Sequence, residues 1–405
     1  MSRLMVKGTS KPMSDDAKHK ADRAGDASLT VREGLSKSDV SRPVVPAEQT
    51  PSAARADAPP HMDKPSPALS SEQKQGADEP VLVSTRANPI PDGVHAGFVL
   101  TDDDMSLRYA RWPAVKRPMK GTVLILQGRS EYIEKYFETV EDLRAEGFEV
   151  LTFDWRGQGG SDRLLDDPKR GHIEHFDQYL MDLDTIMTKV ALPDCRGPFF
   201  VLAHSMGGLI ALLAAPGLGN RISRMVVLAP MLALQGLPVS QRLLRRFTGL
   251  MTFIGFAPSP TRRDTSNALT RPFLGNKLTN DIERFQRNRG TVEKRESLVL
   301  SGPTFGWTYA ACQAMETVHE DGFSSAIAVP TLLVAAGADE VVQASAVEAY
   351  GRKMRAGAFL TVTAAKHELL HERDILREQA LAAFFGFVPG SSLEDLKNRR
   401  SPTAL

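Results

Sequence analysis

Apolar residues fall into two arrangements along this chain. Short continuous runs, too brief for helices, recur at wide intervals: TVLILQ from Thr122, FEVLTFDW from Phe148, FFVLAHS from Phe199, RMVVLAP from Arg224, PTLLVAA from Pro330 and AFLTV from Ala358. Longer amphipathic stretches separate most of them. Runs that are apolar at nearly every position predict strands buried on both faces, and their alternation with helices predicts a mostly parallel central sheet flanked by helices. Ahead of them, GFVLTDDDMSLRYARW from Gly97 reads as an antiparallel hairpin, with Asp102, Asp103 and Asp104 solvated in its turn. The alternation lapses once. Between Pro230 and about Ala326 no core strand occurs, and a structureless loop of that length is implausible, so residues 231–326 are expected to form an inserted helical cap. Within it Leu243, Leu244, Phe247, Leu250, Met251 and Ile254 recur at three- and four-residue spacing, one apolar helix face flanked by Arg242, Arg245 and Arg246. That face either packs inside the cap or lies toward a site mouth or a membrane surface.

Upstream of residue 91 the pattern disappears. No Phe, Trp or Tyr precedes Phe98, whereas eleven of the 26 prolines do. Such a segment buries too little apolar surface to offset roughly 1–2 kcal/mol of backbone entropy per residue. Residues 1–90 are therefore expected to be a disordered tail and 390–405 a flexible C-terminal one, leaving a core of 91–230 and 327–389 around the cap. Lys and Arg number 50 against 49 Asp and Glu, a balance that gives no reason to expect nucleic acid as a partner. Two cysteines, Cys195 and Cys312, allow one disulfide at most and point to a reducing compartment. No apolar stretch has signal-peptide character or approaches the ~20 residues of a membrane span. The expected location is the cytoplasm, with peripheral contact at the inner membrane surface left open through the cap.

Candidate chemistry centres on Leu202-Ala203-His204-Ser205-Met206-Gly207-Gly208, which ends one apolar run and opens a helical one, GGLIALLAA. That is the context in which G-x-S-x-G forms a nucleophile elbow. The turn demands small residues two before and two after the serine. Ala203 departs from glycine but is the next smallest residue, and Gly207 fits. A nucleophilic serine needs a base and an orienting acid, which follow an elbow serine in the order Asp, His. Of nine histidines, only His367 and His371 lie beyond the best acid, and His367 closely follows AFLTV, where the base should emerge. PTLLVAAGADEVV supplies Asp339 just past a strand end, with Gly337 for the turn. FDWRGQGGSDR has three glycines but no phosphate-binding pattern, and reads as a structural loop.

The strings QGRSEYIEKY, FDWRGQGGSDR, LAHSMGG, SGPTFGWT, GADEVV and KHELLHERD resemble, in order and from about Gly97 to Val388, the monoacylglycerol lipase and bacterial lysophospholipase branch of the α/β-hydrolases. The resemblance implies an α/β-hydrolase fold with an inserted helical cap and a serine carboxylic-ester hydrolase. The substrate would be a monoacyl lipid, a lysophospholipid or monoglyceride, cleaved through Ser205, His367 and Asp339 and an acyl-enzyme. It also implies an oxyanion hole made by the backbone N–H groups of Arg129 and Met206. Many members carry histidine where this chain has Gln127. No cofactor or metal is implied.

Two rivals stay open. His367-Glu368-Leu369-Leu370-His371 matches H-E-x-x-H, which on a helix would place two histidines on one face for zinc, with Glu368 as base. No third ligand is evident, and the elbow goes unexplained. The other rival is a non-catalytic binding protein on the same fold, which leaves three intact triad positions without a purpose.

Overall fold

The computed structural model describes residues 81–262, 269 and 271–388. Eight strands form one sheet in the order β1-β2-β4-β3-β5-β6-β7-β8. They are β1 (His95–Leu100), β2 (Ser106–Trp112), β3 (Gly121–Leu126), β4 (Phe148–Phe153), β5 (Phe199–His204), β6 (Arg224–Leu228), β7 (Thr331–Ala336) and β8 (Gly357–Val362). β1 and β2 make the expected hairpin, His95 opposite Arg111 and Leu100 opposite Ser106. β2 joins β4 antiparallel, and every later pairing is parallel. The apolar runs predicted strands buried on both faces, and β3, β4, β5 and β7 are buried at every position. Helices α1 (Phe137–Ala145), α2 (Asp177–Ile186), α3 (Ser205–Leu218), α4 (Gln241–Met251), α5 (Ile282–Lys294), α6 (Phe305–Val318), α7 (Ala344–Lys353) and α8 (Asp374–Phe387) accompany the sheet. Because β3 lies between β4 and β5, the chain leaves it first to one side and then returns on the other. The carboxyl ends of β3 and β5 therefore border the crevice where open α/β sheets bind ligands.

Three expectations need correction. Residues 81–90 do not belong to a disordered tail. Leu82 and Val83 are buried, the Val83 N–H donates to Glu134 Oε1 (3.0 Å), and Arg108 Nη1 donates to the carbonyl of Val81 (2.9 Å). Two aliphatic residues and a buried acceptor suffice to tie down a segment whose composition is otherwise polar. Residues 1–80 and 390–405, the rest of the two expected tails, lie outside the described residues. Next, α6 is not cap. Thr304 caps it by accepting the Trp307 N–H (3.1 Å), and Trp307, Ala310, Ala311, Cys312 and Met315 enter the same hydrophobic core as the sheet. Its small residues let it pack on α3. Finally, Asp103 is not merely solvated, since it pairs with the buried Arg156 at 2.6 Å.

Helix α4 is amphipathic in reverse of the usual sense. Its small side faces α6: Thr248 is buried, and a Cβ on Gly249 would lie 2.8 Å from Tyr309 Cε2. Leu244 packs at the edge of the core, but Leu243, Phe247, Leu250 and Ile254 are exposed, as are Phe253 and Phe256 in the turn that follows. Cys195 and Cys312 are both buried free thiols.

Candidate active site

β5 ends at His204 in extended backbone, and Ser205 opens α3 with φ +52°, a region that non-glycine residues rarely occupy. Close backbone approach fixes this turn. A Cβ on Gly207 would lie 2.4 Å from the carbonyl oxygen of Leu126, so only glycine lets the first turn of α3 rest against the end of β3. Ser205 is 8% exposed.

The loops after β7 and β8 bring the other two residues to it. His367 Nε2 lies 2.9 Å from Ser205 Oγ, and His367 Nδ1 lies 2.7 Å from Asp339 Oδ2. With Nδ1–H donated to a carboxylate, Nε2 is left as the acceptor for the serine hydroxyl. Asp339 Oδ1 accepts the N–H groups of Val341 (2.7 Å) and Val342 (3.0 Å). Burial works to raise the Asp339 pKa, but His367 and these two N–H groups outweigh it and hold the carboxyl below its ordinary value. The neighbouring Glu340 turns away to Lys277, 3.5 Å distant. The structure thus joins Ser205, His367 and Asp339 in one hydrogen-bonded line.

The backbone N–H of Arg129, at the end of β3, meets no acceptor among the described residues. Met206 is the second residue of α3, where helical N–H groups have no intrahelical partner. One such donor thus lies on the loop after β3 and the other in the first turn of α3. The loop that carries Arg129 is braced by the glycine-rich segment read from sequence as structural. Gln158 Nε2 donates to the carbonyls of Gly128 (2.9 Å) and Glu131 (3.2 Å), while its Oε1 accepts the Ser130 N–H (3.2 Å). Trp155 Nε1 donates to the carbonyl of Gln127 (2.9 Å), and the Gln127 side chain donates to Thr152 Oγ1 (3.2 Å).

Beneath the line lies a buried ionic cluster that sequence reasoning missed. Glu131 accepts from the Gly128 N–H, from Tyr136 Oη (2.6 Å) and from Lys135 Nζ (3.0 Å), and lies 3.2 Å from His204 Nδ1. Lys135 also donates to Glu368 (2.6 Å). Burial raises the pKa of Glu131, yet Lys135 and His204 hold it well below the ordinary value. The only signal in the sequence was the four-residue spacing of Glu131 and Lys135 in SEYIEKY, which suits an ion pair on a helix.

The zinc reading of His367-Glu368-Leu369-Leu370-His371 does not survive this geometry. The segment is not an α-helix, since Leu369–His371 is a single 3-10 turn. Both His367 nitrogens face Ser205 and Asp339, and Glu368 is held by Lys135. Among the described residues no group of three His, Cys, Asp or Glu side chains is placed to hold a metal ion.

Residues 117–374 match the family model described as serine aminopeptidase, S33. The chain belongs to that family. It is 32% identical to lysophospholipase L2 of Escherichia coli K12 over 303 residues, covering 70% of this chain and 84% of the relative. The probable lysophospholipase L2 of Haemophilus influenzae is 26% identical, over 70% of this chain and 89% of its own. Among solved structures, a soluble variant of monoglyceride lipase from Saccharomyces cerevisiae superposes with a TM-score of 0.57 at 19% identity, covering 76% of this chain and 96% of that one. The family member described here is an α/β-hydrolase of the lipase and lysophospholipase branch, and a carboxylic-ester hydrolase. No helix among its described residues is long and apolar enough to cross a membrane.

Proposed function

We propose that the chain hydrolyses the ester of a monoacyl glycerolipid, a lysophospholipid or monoglyceride, by two-step acyl transfer at Ser205. The observation that carries this reading is the line from Ser205 Oγ through His367 to Asp339, at 2.9 and 2.7 Å. His367 takes the serine proton as Oγ attacks the ester carbonyl, and Asp339 holds the imidazole in place and stabilises its charged form. The N–H groups of Arg129 and Met206 receive the oxyanion. The alcohol leaves with a proton from His367, and a water that His367 activates then hydrolyses the acyl-enzyme. The lysophospholipase L2 of E. coli, matched over most of its length, supports the substrate class.

The reading is tested by covalent labelling with a fluorophosphonate, followed by turnover on lipid esters. Wild type should label at Ser205, and Ser205→Ala should lose labelling together with about a millionfold of turnover. Wild-type activity in Ser205→Ala would overturn it.

The outward stripe of α4 supports peripheral contact with a lipid surface. Leu243, Phe247, Leu250, Ile254, Phe253 and Phe256 stand exposed, Phe253 at 88%, with Arg242 and Arg246 beside them. Phe247→Asp combined with Phe253→Asp should weaken sedimentation with anionic vesicles and leave hydrolysis of a dispersed short-chain ester intact. Vesicle binding unchanged in the double variant would refute this contact.

A further inference from the structure

Buried arginines in this protein are generally matched by carboxylates. Arg108 pairs with Glu134 and Asp154, Arg156 with Asp182 and Asp103, and Arg377 with Asp142. Arg129 differs. Its guanidinium makes one hydrogen bond, from Nη2 to the carbonyl of Ser301 (2.9 Å), and lies over the Trp307 ring at 5.0 Å from its centroid. Among the described residues Nε is buried without a partner, and no carboxylate forms an ion pair with the side chain. Protein surrounds it densely while part of the residue stays open to solvent. Burial lowers its pKa to about 10, which still leaves it charged at neutral pH.

A charge taken out of water without a counter-ion costs several kcal/mol, so a fold keeps one only where something compensates it. Trp307 supplies part of that compensation through its ring face. The rest is missing, and the place where it is missing is the loop at the candidate oxyanion hole. Ser301 and Trp307 belong to the segment that returns from the cap into α6, and a Cβ on Gly171 would come 3.6 Å from Arg129 Nη2. The guanidinium therefore sits between the loop that receives the ester oxygen and the wall facing it. A lysophospholipid carries its phosphodiester one glycerol away from the ester that is cut. A monoglyceride has only a hydroxyl there.

We infer that Arg129 is a headgroup-binding residue, its guanidinium taking the phosphodiester oxygen of a lysophospholipid while its own backbone N–H faces the ester oxyanion. This rests on the reading of Ser205 as the nucleophile of a monoacyl-lipid esterase. It makes an anionic glycerophosphodiester, rather than uncharged glycerol, the preferred leaving alcohol.

The test is kcat/KM on palmitoyl lysophosphatidylcholine and on palmitoyl monoglyceride for wild type, Arg129→Met and Arg129→Lys. The ratio of the two efficiencies should fall by about tenfold to a hundredfold in Arg129→Met, the scale of a charge-assisted hydrogen bond, and recover in part in Arg129→Lys. An equal loss on both substrates would mark a merely structural arginine and overturn the inference, as would an unchanged ratio. A second measurement needs no variant. Dodecylphosphocholine below its micelle-forming concentration should slow fluorophosphonate labelling of Ser205 more than the uncharged dodecyl glycerol ether does. Equal protection by the two, or equal protection by inorganic phosphate alone, would overturn the headgroup assignment. Failure of wild type to label or to cleave either lipid would instead overturn the esterase reading itself.

Discussion

His204 Nε2 lies 3.1 Å from the backbone carbonyl oxygen of His367, and its Nδ1 lies 3.2 Å from the Glu131 carboxylate. Both partners are acceptors, so both ring nitrogens must carry protons for the two hydrogen bonds to exist together. With both protons in place, the ring beside the proposed base is an imidazolium facing the Glu131 carboxylate. Burial opposes that charge, but Glu131 outweighs it and the pKa is raised above the ordinary histidine value. His204 touches His367 through its backbone carbonyl and through its ring, 4.8 Å between centroids, so it is expected to act as a positioning residue.

A raised folded-state pKa contributes stability that is fully present below the unfolded value of ~6.5 and is lost as pH rises through the folded value. His204→Gln should lower kcat by about tenfold to a hundredfold with little change in KM, since the base is misplaced and binding is not. It should also abolish the part of the alkaline loss of stability that comes from His204. A melting temperature with unchanged pH dependence in the variant would show that the ring merely fills space.

Asp339→Asn should fold and bind lipid yet lose roughly a thousandfold to ten-thousandfold in kcat. An amide can offer its NH2 to Nδ1, which favours the tautomer whose Nε2 carries the proton and cannot accept one from Ser205. Fluorophosphonate labelling of Ser205 should slow in parallel. Labelling at the wild-type rate would show that the 2.7 Å bond between Asp339 and His367 does not orient the base.

A chain beginning at residue 91 should be less stable than one beginning at residue 81 by at least about 3 kcal/mol. Burial of one Leu or Val side chain contributes about 1.5–3 kcal/mol, and Leu82 and Val83 are both buried. The shorter chain also leaves Glu134 without the Val83 N–H and Arg108 without the Val81 carbonyl, inside a buried ion network. Equal melting temperatures would show that this segment rests on the domain without supporting it.

What could be read in advance followed from periodicity and chain order. The apolar runs of β3, β5 and β7 have no polar face, so parallel burial was legible; Ser205 and Asp339 follow at the ends of such runs, whereas His367 follows the partly exposed edge strand β8. Contacts between distant segments were not legible. Gln158 bracing the loop at Gly128 depends on where a glycine-rich turn folds back, which no local pattern records. The direction of the α4 stripe was open for a similar reason. Spacing shows that Phe247 and Leu250 share a face, but only the fit of Gly249 against Tyr309 decides which face turns inward. Residues 81–90 misled because composition averages over a segment, whereas two buried side chains were enough to anchor it.

His371 offers a test of acid sensitivity and of the zinc reading together. Among the described residues neither ring nitrogen has a hydrogen-bond partner, the side chain is buried, and its ring meets that of Tyr136 at 5.6 Å between centroids. Burial holds its pKa well below the ordinary value, so the folded state keeps it neutral. A depressed pKa gives stability that is present above the unfolded value of ~6.5 and is lost as pH falls, because only the unfolded chain then binds the proton. The loss is about 1.4 kcal/mol per pH unit until the folded value is reached. His371→Leu removes both the titration and two unpaired polar atoms, and should be at least as stable as wild type at pH 7. At pH 5 the advantage should be larger than at pH 7, read from urea denaturation at the two pH values. Ester hydrolysis should stay near wild type, in contrast to His367→Ala, which removes the base. A His371→Leu protein as inactive as His367→Ala would return the two histidines to a shared chemical role and reopen the metal reading.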